Sequence, residues 1–315
     1  MTEGSDMENF AEGMDRRSFV KAGISFAALG AATGCVSFAP DCSTRDLAVL
    51  QQENDLVSRE DYIKYLKDGD TRSFAALKRL DAAFDKVLRE VRSAEAVAPG
   101  KPRIWYLYNM GVVVKSATKA FSIDLVHPRA AELAPLLDFA LITHNHSDHW
   151  TRPFYSAMNS SGKTVVSNFL DNYGAKNWRM NGGFTRAAKT FIFGDVTVKT
   201  GLCDHNAYLA DFTTFYEIHM GEFTLCHTGD CSDSSKLKFS RKPNLWVVHP
   251  YCGMDPVKAS VGTVHPGKVL VGHIEELTHS KKQWRWSYSD GMKVKANLEN
   301  AGVEAVLPLW GDRVM

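Results

Sequence analysis

Cysteine is scarce in this chain, with six in 315 residues, far below what a disulfide-stapled scaffold needs. They fall at positions 35, 42, 203, 226, 231 and 252 with no C-x-x-C pair. The later ones read as small buried thiols, and a bond such as Cys226 to Cys231 is not decided by spacing. An excess of one charge is missing too. Lys plus Arg number 37 against 36 Asp plus Glu, so no basic field advertises nucleic acid, and no nucleic-acid partner is expected. The chain also lacks the series of ~20-residue apolar segments that a multi-span membrane protein requires. Its 23 glycines and 11 prolines show no fixed period, which excludes a collagen-like fibre. What is present, 44% hydrophobic and 23% charged residues, suffices for one large domain or two small ones with a real core.

The N-terminus reads as an address. Residues 15–21, D-R-R-S-F-V-K, resemble a twin-arginine export signal. Residues 22–34 carry no charge. Thirteen residues make only ~20 Å of helix, too short for a ~30 Å hydrocarbon core but right for a signal h-region. Up to Lys21 the segment holds Arg16, Arg17 and Lys21 against Glu3, Asp6, Glu8, Glu12 and Asp15, a net of 3 − 5 = −2. An ordinary secretory signal wants positive charge there. Cys35 follows directly in A-A-T-G-C, which resembles a lipobox with Ala32 in the usual leucine position. A lipidated Cys35 would anchor the protein in a membrane, and a free cysteine after signal cleavage is the alternative. The expectation is export through the twin-arginine translocase to the periplasm or cell envelope.

The rest divides into a polar tether at 36–57, a helical segment at 58–98 and a main domain at 99–315. Phe74, Leu77, Leu80, Phe84, Val87, Leu88 and Val91 recur at spacings of three and four, an amphipathic helix whose stripe faces a core. Pro99, Gly100 and Pro102 end it. Beyond them, β-branched and aromatic runs at 104–108, 111–115 and 121–125 predict consecutive antiparallel strands. A short helix near 129–137 and a strand at 139–143 come next. A helix near 152–159, a strand at 163–167 and a helical or irregular stretch to 182 continue the chain. Further strands are predicted near 189–193, 195–202, 212–219, 222–227, 245–249, 268–272 and 303–308, with a helix near 288–299. The fold class is α/β.

Residues 143–149 read T-H-N-H-S-D-H, which puts His144, His146, Asp148 and His149 in six positions behind the apolar Leu141 and Ile142. Side chains at i and i+2 of an extended segment point the same way, so His144 and His146 can share one ion. Asp148 and His149, past a turn, can aim at a second. Imidazole and carboxylate suit zinc, with manganese or iron as alternatives.

The H-x-H-x-D-H run resembles the diagnostic motif of the metallo-β-lactamase superfamily. Later strand ends carry matching stations: C-D-H at His205, T-G-D at Asp230 and V-L-V-G-H at His273. The resemblance spans roughly residues 104–311. It implies a four-layer αββα sandwich with metals at one sheet edge. It further implies that His144, His146 and His205 hold a first ion, that Asp148, His149 and His273 hold a second, and that Asp230 bridges both. Asp148 and Asp230 would then be the catalytic carboxylates of a dinuclear hydrolase that uses metal-activated hydroxide on an ester, lactone or phosphodiester of a small molecule or lipid. An aspartate at 230 fits the thioesterase, lactonase and phosphodiesterase branches rather than the zinc β-lactamases. A phospholipase-D-like member and a non-catalytic, metal-binding surface lipoprotein are the other readings.

His279 and His265 rival His273 as the last ligand. His227 reads as a strand residue or a ligand neighbour, His219 as solvated, and His249 as a pocket-lining or packed strand end. Asp124 is either a carboxylate supporting the metal loop or a turn former. Glu275 and Glu276 either support the site or lie exposed. Trp150, Tyr208 and Tyr251 either shape a cleft or pack in the core. The basic run Lys236, Lys238, Arg241 and Lys242 reads as a solvated loop.

Overall fold

Two groups of short, β-branched and aromatic strands build two sheets in the computed structural model. It describes residues 44–71, 73–93, 95–169, 183–206, 208–280 and 283–315. The export segment 1–35 with Cys35, Cys42, and the stretch 170–182 lie outside the described residues. The first sheet has five strands: β1 (Arg103–Tyr108), β2 (Gly111–Lys115), β3 (Ala120–Ile123), β4 (Phe139–Leu141) and β5 (Thr164–Val166). β1, β2 and β3 are antiparallel neighbours, as their spacing predicts, and β3, β4 and β5 run parallel. The second has seven, in the order β12-β11-β10-β9-β8-β7-β6. These are β6 (Thr190–Phe193), β7 (Val196–Cys203), β8 (Thr213–Met220), β9 (Phe223–His227), β10 (Leu245–Val248), β11 (Lys268–Val271) and β12 (Glu304–Val306). β9 to β12 are parallel, and β6 to β9 alternate in direction.

Side-chain alternation explains why the sheets stack. In β10, Leu245 and Val247 join the large core shared with the five-stranded sheet, while Trp246 and Val248 join a second core on the opposite face. That second core is closed by Tyr288, Val294 and Leu298 of a helix at Tyr288–Asn300. The five-stranded sheet is covered by helices at Ala75–Ser93 and Arg152–Ser160, whose Leu77, Leu80, Phe84, Phe154 and Met158 enter the large core. Helix, sheet, sheet and helix thus form the expected four layers.

Three local expectations change. Residues 36–57 read as a tether, yet Thr44–Asp55 form a helix, α1. Leu47 is buried in the second core with Leu50 against it, and polar anchors accompany them: Asn54 Nδ2 donates to Glu275 Oε2 at 3.1 Å, and Tyr288 N donates to Gln51 Oε1 at 3.0 Å. Hydrophobic periodicity cannot register the polar anchors. The helix expected near 129–137 is a pair of 3₁₀ turns, Ala130–Glu132 and Ala134–Leu136, because Pro135 lacks the N–H a continuing helix needs. A helical turn at Pro256–Ala259 was not foreseen. Asp255 caps it, accepting from Val257 N and Lys258 N. The next two helices, α2 (Arg59–Asp68) and α3 (Ala75–Ser93), lie where the sequence places them. No helix of the described residues is long and apolar enough to cross a membrane.

Leu80 is fully buried on α3, whereas Ile63 of α2 is 44% exposed. Leu80→Ala is expected to cost about 2–5 kcal/mol in denaturant unfolding, and Ile63→Ala about 0.5 kcal/mol or less. Equal costs would contradict the packing of α3 against the five-stranded sheet.

Candidate metal centre

Strand direction decides where the polar residues meet. β3, β4, β7, β9, β10 and β11 all deliver their C-terminal ends to one edge of the sandwich, and a bond from Thr214 N to Thr143 O at 2.8 Å ties the two sheets there. His144, His205, Asp230 and His273 follow β4, β7, β9 and β11 within three residues. Two glycines permit the close approach. A Cβ on Gly229, which has φ +50°, would stand 2.7 Å from Thr143, and one on Gly272 would stand 2.6 Å from Met110 Sδ.

Two groups of side chains able to hold a metal ion result. One is His144, His146, His205 and Asp230; the other is Asp148, His149, Asp230 and His273. They share Asp230 alone. Its Oδ2 lies 3.8 Å from His144 Nε2, 3.5 Å from His205 Nε2 and 3.7 Å from His273 Nε2, and its Oδ1 lies 3.4 Å from His149 Nε2. Asp148 Oδ2 lies 3.2 Å from His149 Nε2 and 3.1 Å from His273 Nε2. His144 Nε2 and His146 Nδ1 are 3.1 Å apart. The ring of Phe212 walls the first group, edge-on to His144 and His205. The structure thus brings together all seven residues that the sequence singles out.

The residues fit metal ions on donor chemistry. His149 Nε2, His205 Nε2 and Asp230 Oδ1 are buried without a hydrogen-bond partner, a costly arrangement unless something binds them. Tautomers point the same way. Asp124 Oδ2 sits 2.8 Å from His149 Nδ1, so that nitrogen carries a proton and Nε2 is the one turned to the site. The Thr143 hydroxyl donates to Asp124 Oδ2 at 2.7 Å and so accepts from His144 Nδ1 at 3.0 Å, which leaves His144 Nε2 the unprotonated nitrogen of that neutral ring. Thr143 N donates to Asp124 Oδ1 at 2.8 Å. Asp124 is therefore a supporting carboxylate.

Electrostatics divides the histidines. Burial pushes His144 well below the ordinary imidazole range, aided by His149 and His146. Burial and then His205 bring His146 to about 4. Both stay neutral, as ligation requires. At His149 burial also acts downward, but Asp148, Asp230 and Asp124 outweigh it and raise the pKa well above the usual value. Asp148 and Asp230 show the converse. Burial raises them, and His149 leads the groups that hold both well below the carboxylate range.

The remaining candidates separate. His273 joins Asp148 and Asp230, whereas His279 joins Asp148 and Glu276 in a different cluster, its Nδ1 2.5 Å from Glu276 Oε2. His265 ends a π-helical turn at Ser260–Val264 and is in neither group. His227 donates from Nε2 to Met110 O at 2.8 Å, a structural role. His249 stacks on His273 with ring centres 3.8 Å apart and forms a further group with Asp230 and Cys252. His219 is not solvated as expected: it is buried, 2.7 Å from Glu217 Oε1, because β8 is covered on both faces. Glu275 and Glu276 are fully buried. Trp150 packs on Phe169, Tyr251 stacks on Trp286, and Tyr208 is exposed. Lys236 is no free solvated charge, since it bridges Asp204 and Asp211 beside His205. Cys203, Cys226, Cys231 and Cys252 are free and buried.

Sequence reasoning missed Thr143, and it missed the β1–β2 turn. Tyr108 donates from its hydroxyl to Glu276 Oε1 at 3.0 Å, and Asn109 Nδ2 donates to Asp148. The run N-M-G between two strands signals a turn, but nothing in it signals where the turn points.

No protein-family model matches the chain, and no curated protein matches it. Solved structures match it in shape. A possible metal-dependent hydrolase from Veillonella parvula has 15% identity and a TM-score of 0.54, over 69% of this chain and 99% of its own. Igni18, a metallo hydrolase from the hyperthermophilic archaeon Ignicoccus hospitalis, has 15% identity and a TM-score of 0.53, over 68% and 98%. The metallo-β-lactamase fold protein YhfI from Bacillus subtilis has 15% identity and a TM-score of 0.51, over 67% and 98%. The chain has the metallo-β-lactamase fold.

Asp124→Asn removes the acceptor that fixes His149 and Thr143. Competition with a zinc chelator is expected to show metal retention weakened about 10–100-fold. Unchanged retention would contradict the supporting role of Asp124.

Proposed function

We propose that this protein is a dinuclear metal-dependent hydrolase of an ester, lactone or phosphodiester, exported by the twin-arginine route and tethered to the cell envelope through Cys35. One observation carries the hydrolase reading: two ligand groups of nitrogen and oxygen donors share a single aspartate, Asp230. His144, His146 and His205 hold one ion, Asp148, His149 and His273 hold the other, and Asp230 serves both. When bound, two divalent cations supply Lewis acidity that polarises a scissile bond and acidifies water. The donor set suits zinc first, then manganese or iron.

The chain's own residues do the rest. Asp124 and Thr143 hold His144 and His149 through Nδ1, so that Nε2 is the nitrogen each would offer an ion. Asp148, held ionised, keeps its carboxylate available as a ligand in the second group and as a hydrogen-bond acceptor. Phe212 excludes water from one side of the first group. The substrate is a small molecule or a lipid. The D-R-R-S-F-V-K run supports the export reading, and a route that carries folded chains is consistent with a site loaded before export.

The purified protein is expected to carry two ions per chain by mass spectrometry. Asp148→Asn, which keeps the side-chain shape, is expected to reduce turnover of a lactone, thioester or phosphodiester by at least ~10²-fold while far-UV circular dichroism stays unchanged. Normal turnover by that variant would sink the mechanism. No ions on the isolated protein, and no uptake of added zinc or manganese, would turn the reading to a non-catalytic surface lipoprotein.

A further inference from the structure

The turn between β1 and β2 precedes every candidate ligand in sequence, yet antiparallel pairing of β1 with β2 and of β2 with β3 brings it to the site edge. Its first residue, Asn109, is fully buried and holds a left-handed φ of +57°. Its Nδ2 donates to Asp148 twice, to the backbone carbonyl at 2.8 Å and to Oδ2 at 3.2 Å. Both partners are acceptors, so the amide must present its nitrogen there. The carbonyl of Asn109 accepts from His273 N at 2.9 Å and from the Tyr106 hydroxyl at 2.9 Å. One residue thus grips the side chain of Asp148 and the backbone of His273. Its hydrogen bonds reach no member of the His144, His146 and His205 set.

We infer that Asn109 is a positioning residue for the second metal-binding group, fixing Asp148 and His273 without acting on the first group. The inference rests on the two-ion reading proposed above.

The chemistry of the residue suits that task. A buried carboxylate that must face a cation needs a donor on its other side, and the donor must be neutral. A lysine at 109 would neutralise Asp148 and repel the ion, while an aspartate would set two carboxylates against each other. Asn109 Oδ1 is buried with no hydrogen-bond partner, a standing cost that a hydrophobic residue of similar size would avoid. The cost is offset only if the donation from Nδ2 matters. Asparagine also tolerates a left-handed backbone better than most residues do. Glycine tolerates it better still, so Asn109→Gly removes the side chain while keeping the turn.

The test is a cobalt(II) titration of the full-length protein, followed by visible absorption and chelator competition, on wild type, Asn109→Gly and Asn109→Asp. Wild type is expected to bind two ions. Both variants are expected to bind the first ion within about threefold of wild type and the second about 10–100-fold more weakly. Two ions bound by Asn109→Gly with wild-type constants would overturn the inference. So would equal weakening of both ions together with a lower metal-free Tm, which is the signature of a purely structural turn. Fewer than two ions on wild type would sink the two-ion reading itself, and this inference with it.

Discussion

Buried negative charge is the constraint on which the site depends. Asp124, Asp148 and Asp230 sit at one sheet edge with almost no exposure, and an ionised carboxylate in a dry interior costs several kcal/mol unless it is compensated. The nitrogen donors around Asp148 and Asp230 are histidines and one asparagine, with Glu276 near Asp148 and Cys252 near Asp230. Imidazoles compensate poorly, because crowding and burial drive His144 and His146 toward the neutral form. At His149 the carboxylates prevail and favour a positive charge, and at His279 Glu276 and Asp148 do the same against burial. A cluster that favours added cations and keeps His144 and His146 neutral beside a shared aspartate suits metal.

The scaffold meets this constraint with two devices. The first is topological: parallel and alternating strands from two stacked sheets end at the same edge, so residues more than a hundred positions apart converge without long loops. The second is a set of short polar links behind the donors. Asp124 reaches both groups at once, His149 directly and His144 through the Thr143 hydroxyl. The β1–β2 turn does comparable work through Tyr108, Asn109 and Met110, which bind Glu276, Asp148 and His227 in turn. Rigid strands place the donors, and these links fix their orientation.

Much of this was legible in the sequence, for physical reasons. The H-x-H-x-D-H run packs four donors into six positions after an apolar strand, and period-two geometry says which pair converges. His205, Asp230 and His273 were legible because each closes a strong β-run. The α3 stripe was legible because its stabilisation is apolar and periodic. What escaped is polar and non-local. The helix at Thr44–Asp55 sets a short Leu47 and Leu50 contact beside polar anchors at Asn54 and Gln51. Asn109 and Thr143 act through paired hydrogen bonds to partners 39 and 19 residues away. His219, expected to be solvated, is instead buried against Glu217. Pairings of this kind carry no local periodicity.

Anomalous diffraction at the metal absorption edge, from crystals of the protein grown without chelator, tests the central claim most directly. Two peaks are predicted, one among His144, His146 and His205 and one among Asp148, His149 and His273, with Asp230 in contact with both and each nitrogen about 2.0–2.1 Å from its ion if the metal is zinc. A single peak held by another set of residues, or no peak after soaking with zinc or manganese, would contradict the account.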